Sequence, residues 1–214
     1  MKSLFLFCAL LLFAGSGFPQ DSVFTPKYAI SFGIGENFTL TKFNGEIAVK
    51  KIFANSDQLR LFISPNAEIN DAEYSTQPSN RFHGGTDYSI SVGADYIWVV
   101  KSHTSVHLYS GAGLAYLYHK TTLTEDAAPD YISHRHSESK RILHQGRVRG
   151  ILGTEWKVSD EFGIHCEYIV NFSYGSDKYN EKITQTTTPD QIAESIKNSA
   201  MLTSAVLLGL SLYF

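Results

Sequence analysis

His134-Arg135-His136 places two imidazoles one residue apart, a spacing that can chelate a metal ion on an extended chain. His144 lies further along the same stretch and His83 on an earlier one. Zinc sites, however, draw three or four ligands from Cys, His and carboxylates at motif spacing. No Cys or carboxylate stands at such a spacing here, so solvated histidines fit better and no metal site is assigned. His136-Ser137 and the alternating pair His165/Glu167 are fragments of a nucleophile–base–acid arrangement. His165 and Glu167 have no paired serine in the sequence. No catalytic or cofactor-binding set is therefore assigned, and the chain reads as a non-enzyme without a cofactor.

A second set of chemical residues recurs at alternate positions within apolar segments: Glu46, Lys50, Arg60, Glu68, Asp95, Arg147, Arg149, Glu155, His165 and Glu167. Their charges nearly cancel, with Glu46, Glu68, Asp95, Glu155 and Glu167 against Lys50, Arg60, Arg147 and Arg149. Such a set, held in one confined space, forms paired ions rather than isolated charges, because an unpaired buried charge is costly.

The elements that would position these residues are strands. Helical periodicity is almost absent, whereas period-2 alternation recurs in eight segments: 28–35, 45–53, 59–69, 88–100, 106–119, 147–158, 162–174 and 201–214. In the seventh, Phe162, Ile164, Cys166, Tyr168, Val170, Phe172 and Tyr174 oppose Gly163, His165, Glu167, Asn171 and Ser173. Phe62 is an apolar exception on the polar face of the third. Short polar turns at 55–57, 102–104 and 159–161 alternate with longer polar stretches at 36–44, 71–87, 121–146 and 175–200. In the last of these, Thr188-Pro189-Asp190-Gln191 resembles a capping box and, with Ile192, Ala193 and Ile196, predicts a short helix.

The chain has 214 residues, with 18 Lys+Arg against 21 Asp+Glu for a net charge of −3. That excludes a strongly basic nucleic-acid binder. Aromatics at 13% and charged residues at only 18% argue for a folded chain. Lys2 followed by the apolar run 4–14 and small residues Ala14, Gly15, Ser16 and Gly17 reads as a secretory signal peptide over 1–20, with cleavage near 16–20. The run is too short for a spanning helix. Residues 21–214 then form a single barrel domain. Cys8 departs with the signal, which leaves Cys166 as the sole thiol and excludes an intramolecular disulfide.

An even number of strands, with short turns at one end and long loops at the other, describes an all-β, eight-stranded, antiparallel up-and-down barrel. The placement of aromatics favours the transmembrane form. Tyr28, Phe53, Trp98, Trp156, Phe162 and Phe214 fall at the short-turn end, and Tyr88, Tyr116, Tyr118, Phe172 and Tyr174 at the long-loop end. Two such rings are the girdles expected at lipid headgroups. The terminal strand carries Leu210, Leu212 and Phe214 at alternate positions.

On these features the chain resembles small bacterial outer-membrane β-barrels of the eight-stranded OmpA type and related porin-like families. The resemblance covers essentially the whole mature chain and is specific for architecture, not for activity. It implies that Leu210, Leu212 and Phe214 act as a C-terminal sorting signal read by the barrel-assembly machinery, that outer-membrane lipid surrounds the barrel, and that termini and short turns face the periplasm. Loops 71–87, 121–146 and 175–200 would face outside and meet an extracellular partner. A structural or surface-interaction role follows, with a lumen filled by its own side chains and no sizeable pore. Two alternatives remain open. One is a secreted, soluble lipocalin-like barrel that binds a ligand within. The other is an outer-membrane barrel enzyme acting on lipid, as lipid A deacylases and acyltransferases do.

Overall fold

The computed structural model describes residues 27–35, 45–76, 79–103, 105–130, 133–185 and 189–214; side chains of 68–83 and 127–135 are outside the description. The segment 1–20 expected to be a signal peptide and the 36–44 connection lie outside the described residues.

Eight strands follow one another around a closed barrel: β1 (Tyr28–Ile34), β2 (Gly45–Ile52), β3 (Gln58–Thr76), β4 (Ser79–His103), β5 (Val106–Asp130), β6 (Ser133–Lys157), β7 (Phe162–Gln185) and β8 (Gln191–Tyr213). Every neighbouring pair is antiparallel, and β1 closes on β8 through registers such as Ala29↔Tyr213 and Ile34↔Leu208. At the seam, Tyr28 N–H donates to the Phe214 carbonyl at 3.1 Å and Phe214 N–H to the Tyr28 carbonyl at 3.0 Å. Their rings stack 6.5 Å apart. The last residue therefore completes the ladder that closes the ring.

Two of the three short turns lie where the sequence places them, whereas Ser102 and His103 extend β4 and pair with His107 and Val106. At 53–57, Phe53 N–H donates to the Asp57 carbonyl at 2.8 Å, and the Asn55 side chain accepts from Asp57 N–H at 3.2 Å. Ser56 takes the left-handed conformation, φ 69°, that this tight reversal requires. At 158–162, Val158 N–H donates to the Phe162 carbonyl at 2.9 Å and Ser159 Oγ accepts from Glu161 N–H.

The long stretches differ from the expectation. Instead of loops, 71–87, 121–146 and 175–200 are largely continuations of the strands, so that β4, β5 and β6 run 25 residues each. Once neighbouring strands are in register, each further pair of residues satisfies its backbone groups with its neighbour, which a polar segment can do as well as an apolar one. The helix predicted after Asp190 is not formed. Ile192, Ala193 and Ile196 instead pair with Lys182, Glu181 and Lys178. A one-turn helix closes few hydrogen bonds per residue fixed and loses to this ladder.

Among the described residues the strands differ in length. β1 and β2 have 7 and 8 residues. At a rise of ~3.3 Å per residue and a tilt of ~40°, they give about 20 Å of height, against about 60 Å for the 25-residue strands. Pairing of β2 with β3 stops at Ile47↔Ile63. Just beyond, Ser64 Oγ donates to the Gly45 carbonyl at 2.7 Å. Pro65, which has no N–H to offer, lies two residues past that described pair.

Candidate functional site

Alternation along the strands separates two surfaces of opposite character. On β7, Cys166, Tyr168, Phe172 and Tyr174 point outward and exposed, while Gly163, His165, Glu167, Ile169 and Ser173 are buried in the lumen. The pattern recurs around the ring. Leu61, Leu114, Val148, Leu152, Leu202 and Leu208 are each more than half exposed, and Lys50, Arg60, Asp95, Glu155 and Glu167 are each at most 1% exposed.

The buried charges form one network. Arg60 on β3 donates from Nη1 to both oxygens of Glu167 on β7, at 2.7 and 2.8 Å, and from Nε to Asp95 on β4 at 3.0 Å. Glu46 on β2 lies 3.7 Å from the same guanidinium and accepts from Arg149 Nη2 on β6 at 3.0 Å. Tyr109 donates its hydroxyl to Glu167 at 2.7 Å, and Arg149 stacks 3.8 Å over the Phe62 ring. Toward the short turns, Lys50 approaches Glu155 at 3.6 Å and donates to Ser211 Oγ at 3.0 Å. Ser211 Oγ and His165 Nδ1 lie 3.2 Å apart. These links cross the lumen from β2 and β3 to β6, β7 and β8.

Of the charged residues singled out in the sequence, Glu46, Lys50, Arg60, Asp95, Arg149, Glu155, His165 and Glu167 are buried in this lumen. Arg147 is half-buried on the same face, with no ion pair among the described residues and its Nε unpartnered. The Glu68 side chain lies outside the described residues; its backbone pairs with Asp87. Sequence reading set Phe62 on this face but missed most of the apolar share of the plug: Ile97, Ile151, Ile169 and Leu207 pack with Tyr109 into a buried cluster, and Phe62, Ala48 and Ala115 form a second. Strand parity alone puts these residues inward, since Tyr109 shares its face with His107 and Gly111. Only their apolar character argued against it.

Ser211 is the hydroxyl that the sequence did not bring to His165. Both are closed within the plug, Ser211 at 0% and His165 at 2% exposure. Ser211 also accepts from Lys50. A lipid ester on the outer surface does not reach either group.

The aromatic residues stand on the outer face. Tyr28, Phe53, Trp98, Trp156 and Phe214 are exposed at the short-turn end, with Phe162 half-buried beside them. Tyr88, Tyr116, Phe172 and Tyr174 are exposed at the other end, with Tyr118 half-buried. Leu212 is exposed and Leu210 half-buried on the same face of β8. Beyond the second ring the outer face of β7 turns polar, while Ile192 and Ile196 on β8 stay exposed. On β7 the outward series after Tyr174 is Ser176, Lys178, Asn180 and Lys182, and Lys178 bridges to Glu194 at 2.6 Å.

Above the ring the inner face is polar too. His119 Nε2 meets Asp87 at 2.8 Å, with Thr121 Oγ1 donating to that carboxylate. Arg141 Nε donates to both oxygens of Asp177 at 2.9 Å, and its Nη2 donates to the same group. This hydrogen bonding holds the Asp177 carboxyl below its ordinary range and raises Arg141. On the outer face His136 pairs with Asp126, and His144 and the Tyr116 hydroxyl lie 2.6 Å apart. The His134 and His83 side chains lie outside the described residues.

No family model matches the chain, and no curated protein matches it. Among solved structures the chain is similar to a major outer membrane protein from Thermus thermophilus, with TM-score 0.43 and 12% identity over 89% of this chain and 100% of that one. It is also similar to CarO of Acinetobacter baumannii, with TM-score 0.46 and 14% identity over 89% and 98% of the two chains. The β domain of the Bordetella autotransporter Brka follows at TM-score 0.21, 8% identity, and coverage of 87% and 98%. Likenesses this distant carry no further weight. The distribution of charge and apolar surface does.

Proposed function

We propose that this chain is an outer-membrane β-barrel with a structural or surface-interaction role, its lumen plugged by its own side chains and its long wall standing outside the membrane. One observation carries the proposal: the barrel is inverted relative to a soluble one. Its ion network is inside, and the belt of Leu, Ile, Val and aromatic side chains faces out between two aromatic rings. Water would penalise such a belt by roughly 25 cal/mol per Å², whereas lipid is its natural solvent. A lipocalin-type barrel would bury those side chains around a ligand.

In this reading the signal peptide exports the chain, the alternation ending at Leu210, Leu212 and Phe214 guides the barrel-assembly machinery, and outer-membrane lipid contacts the belt. The interior network serves as a rigid plug rather than an ion path, because its charges spend themselves on one another across the lumen. Partners from outside meet the walls of β3 to β8.

Planar-bilayer recording from purified, folded protein tests the plug. The expected result is the absence of the large, stepwise conductances of a wide aqueous channel. Reproducible steps of that kind would overturn it.

A further inference from the structure

The walls of β5 to β8 above the second aromatic ring enclose a cavity of about 460 Å³ on their inner, concave side, lined by Thr121, Leu123, Ser139, Arg141, Asp177, Tyr179, Ser195 and Lys197. These residues are not an accident of proximity. Thr121, Arg141, Tyr179 and Ser195 form one continuous cross-strand row, and Asp177 and Lys197 face each other in the row below. All occupy alternate positions on the face that, lower down, carries the plug. The cavity has the size of a small-molecule site, and its position on the inner face turns it away from the lipid that the outer face meets.

The polar groups divide unequally between donors and acceptors. Asp177, the carboxylate of the cavity, has both oxygens engaged by Arg141. The Tyr179 hydroxyl donates to Glu181 at 3.2 Å, and Thr121 is committed to Asp87. What remains is cationic or a hydroxyl. Arg141 keeps Nη1 free of that bridge. Lys197 has no ion pair among the described residues, although it lies close enough to Asp177 to act on its charge. Ser195 adds a hydroxyl, whereas Ser139 hydrogen-bonds Tyr179. A pocket whose uncommitted groups are an ammonium, a guanidinium nitrogen and a hydroxyl suits an acceptor-rich, negatively charged ligand.

We infer that this cavity binds a small soluble anion bearing a carboxylate or phosphate, held between Lys197 and Arg141 against the Tyr179 side of the wall. Asp177 competes with the ligand for Arg141, so that binding is charge-selective and reversible. The external address of the site rests on the membrane reading given above; the cavity and its charge do not.

The test is titration calorimetry on folded, detergent-solubilised full-length protein, with succinate and inorganic phosphate as separate probes at low ionic strength. Saturable one-site binding of either is expected, and the tighter of the two identifies the anion class. Lys197→Gln should weaken binding about tenfold, the value of one charge-assisted hydrogen bond. Asp177→Asn should tighten it by a similar factor, because Arg141 is then freed for the ligand; a merely structural role for the Arg141–Asp177 pair predicts loss instead. Failure of both probes to bind a barrel that still shifts on heating in SDS, or binding unchanged by Lys197→Gln, would overturn the inference. A protein that never forms a detergent-stable barrel would instead contradict the membrane reading, and binding by its soluble form would leave the site standing.

Discussion

Arg60 on β3 and Glu167 on β7 meet across the lumen, 107 residues apart in sequence, with Nη1 donating to both carboxylate oxygens at 2.7 and 2.8 Å. The pair braces opposite walls of the barrel. Since Asp95 and Glu46 share the same guanidinium, removing it exposes three buried carboxylates to one another at once.

Arg60→Met should therefore cost about 3–5 kcal/mol in urea unfolding followed in detergent or lipid, the range for breaking a buried ion pair from one side. Arg147→Met provides the contrast. Arg147 has no ion pair among the described residues and lies near Arg149, so its loss should change stability by less than about 1 kcal/mol in either direction. Equal losses at both positions would mean that burial alone, not the network, sets the cost.

Gly153 on β6 is a space requirement of the same plug. A Cβ there would come within 2.5 Å of the Tyr109 ring. Gly153→Ala should push Tyr109 off Glu167 and destabilise the barrel by about 1–3 kcal/mol, as overpacking does. Gly153→Ala combined with Tyr109→Phe should retain most of that loss, because the ring, not its hydroxyl, is the obstacle.

Leu152 lies midway between the aromatic rings, on the outer face and 54% exposed. On a soluble protein, Leu152→Arg at such a site would be close to neutral or even solubilising. Facing the bilayer midplane, it should cost about 2–4 kcal/mol, read as a drop in the folded fraction on insertion into liposomes. Glu138→Arg, on the outer face above the second ring, should leave insertion unchanged.

The Arg141–Asp177 bridge sets an acid limit on the upper wall. Hydrogen bonding to Arg141 lowers the Asp177 carboxyl from its ordinary 3.8, so the folded state binds this proton less readily than the unfolded one. The stabilisation is complete above the ordinary value and is lost as pH falls through the lowered one. Carbon NMR of the Asp177 carboxyl should show a midpoint below 3.8 that rises toward it in Arg141→Gln. An unchanged midpoint would show that the bridge does not persist in solution.

Much of the barrel was legible in the sequence because period-2 contrast is strong wherever one face meets a polar plug and the other is an exposed apolar belt. Hence all eight strands, the turns at 55–57 and 159–161, and the outward side of Leu152 or Tyr168 could be read directly. The upper walls were not legible for the same reason: with both faces polar, as from Ser176 to Thr184, alternation has no contrast to display. Nor was the apolar half of the plug. Ile97, Ile151 and Leu207 follow strand parity into the lumen against their hydropathy, filling space that the glycines beside them leave. The meeting of Ser211 with His165, and of Arg141 with Lys197 around one cavity, depends on registers between strands, which no single segment encodes.

The central claim is that the apolar belt faces lipid around a closed ring, and electrophoresis of the outer-membrane fraction with and without boiling in SDS tests it most directly. The account predicts a detergent-extracted band whose mobility shifts on heating, because an intact barrel stays folded in cold SDS. A protein recovered in solution without detergent, migrating identically in both lanes, would contradict it.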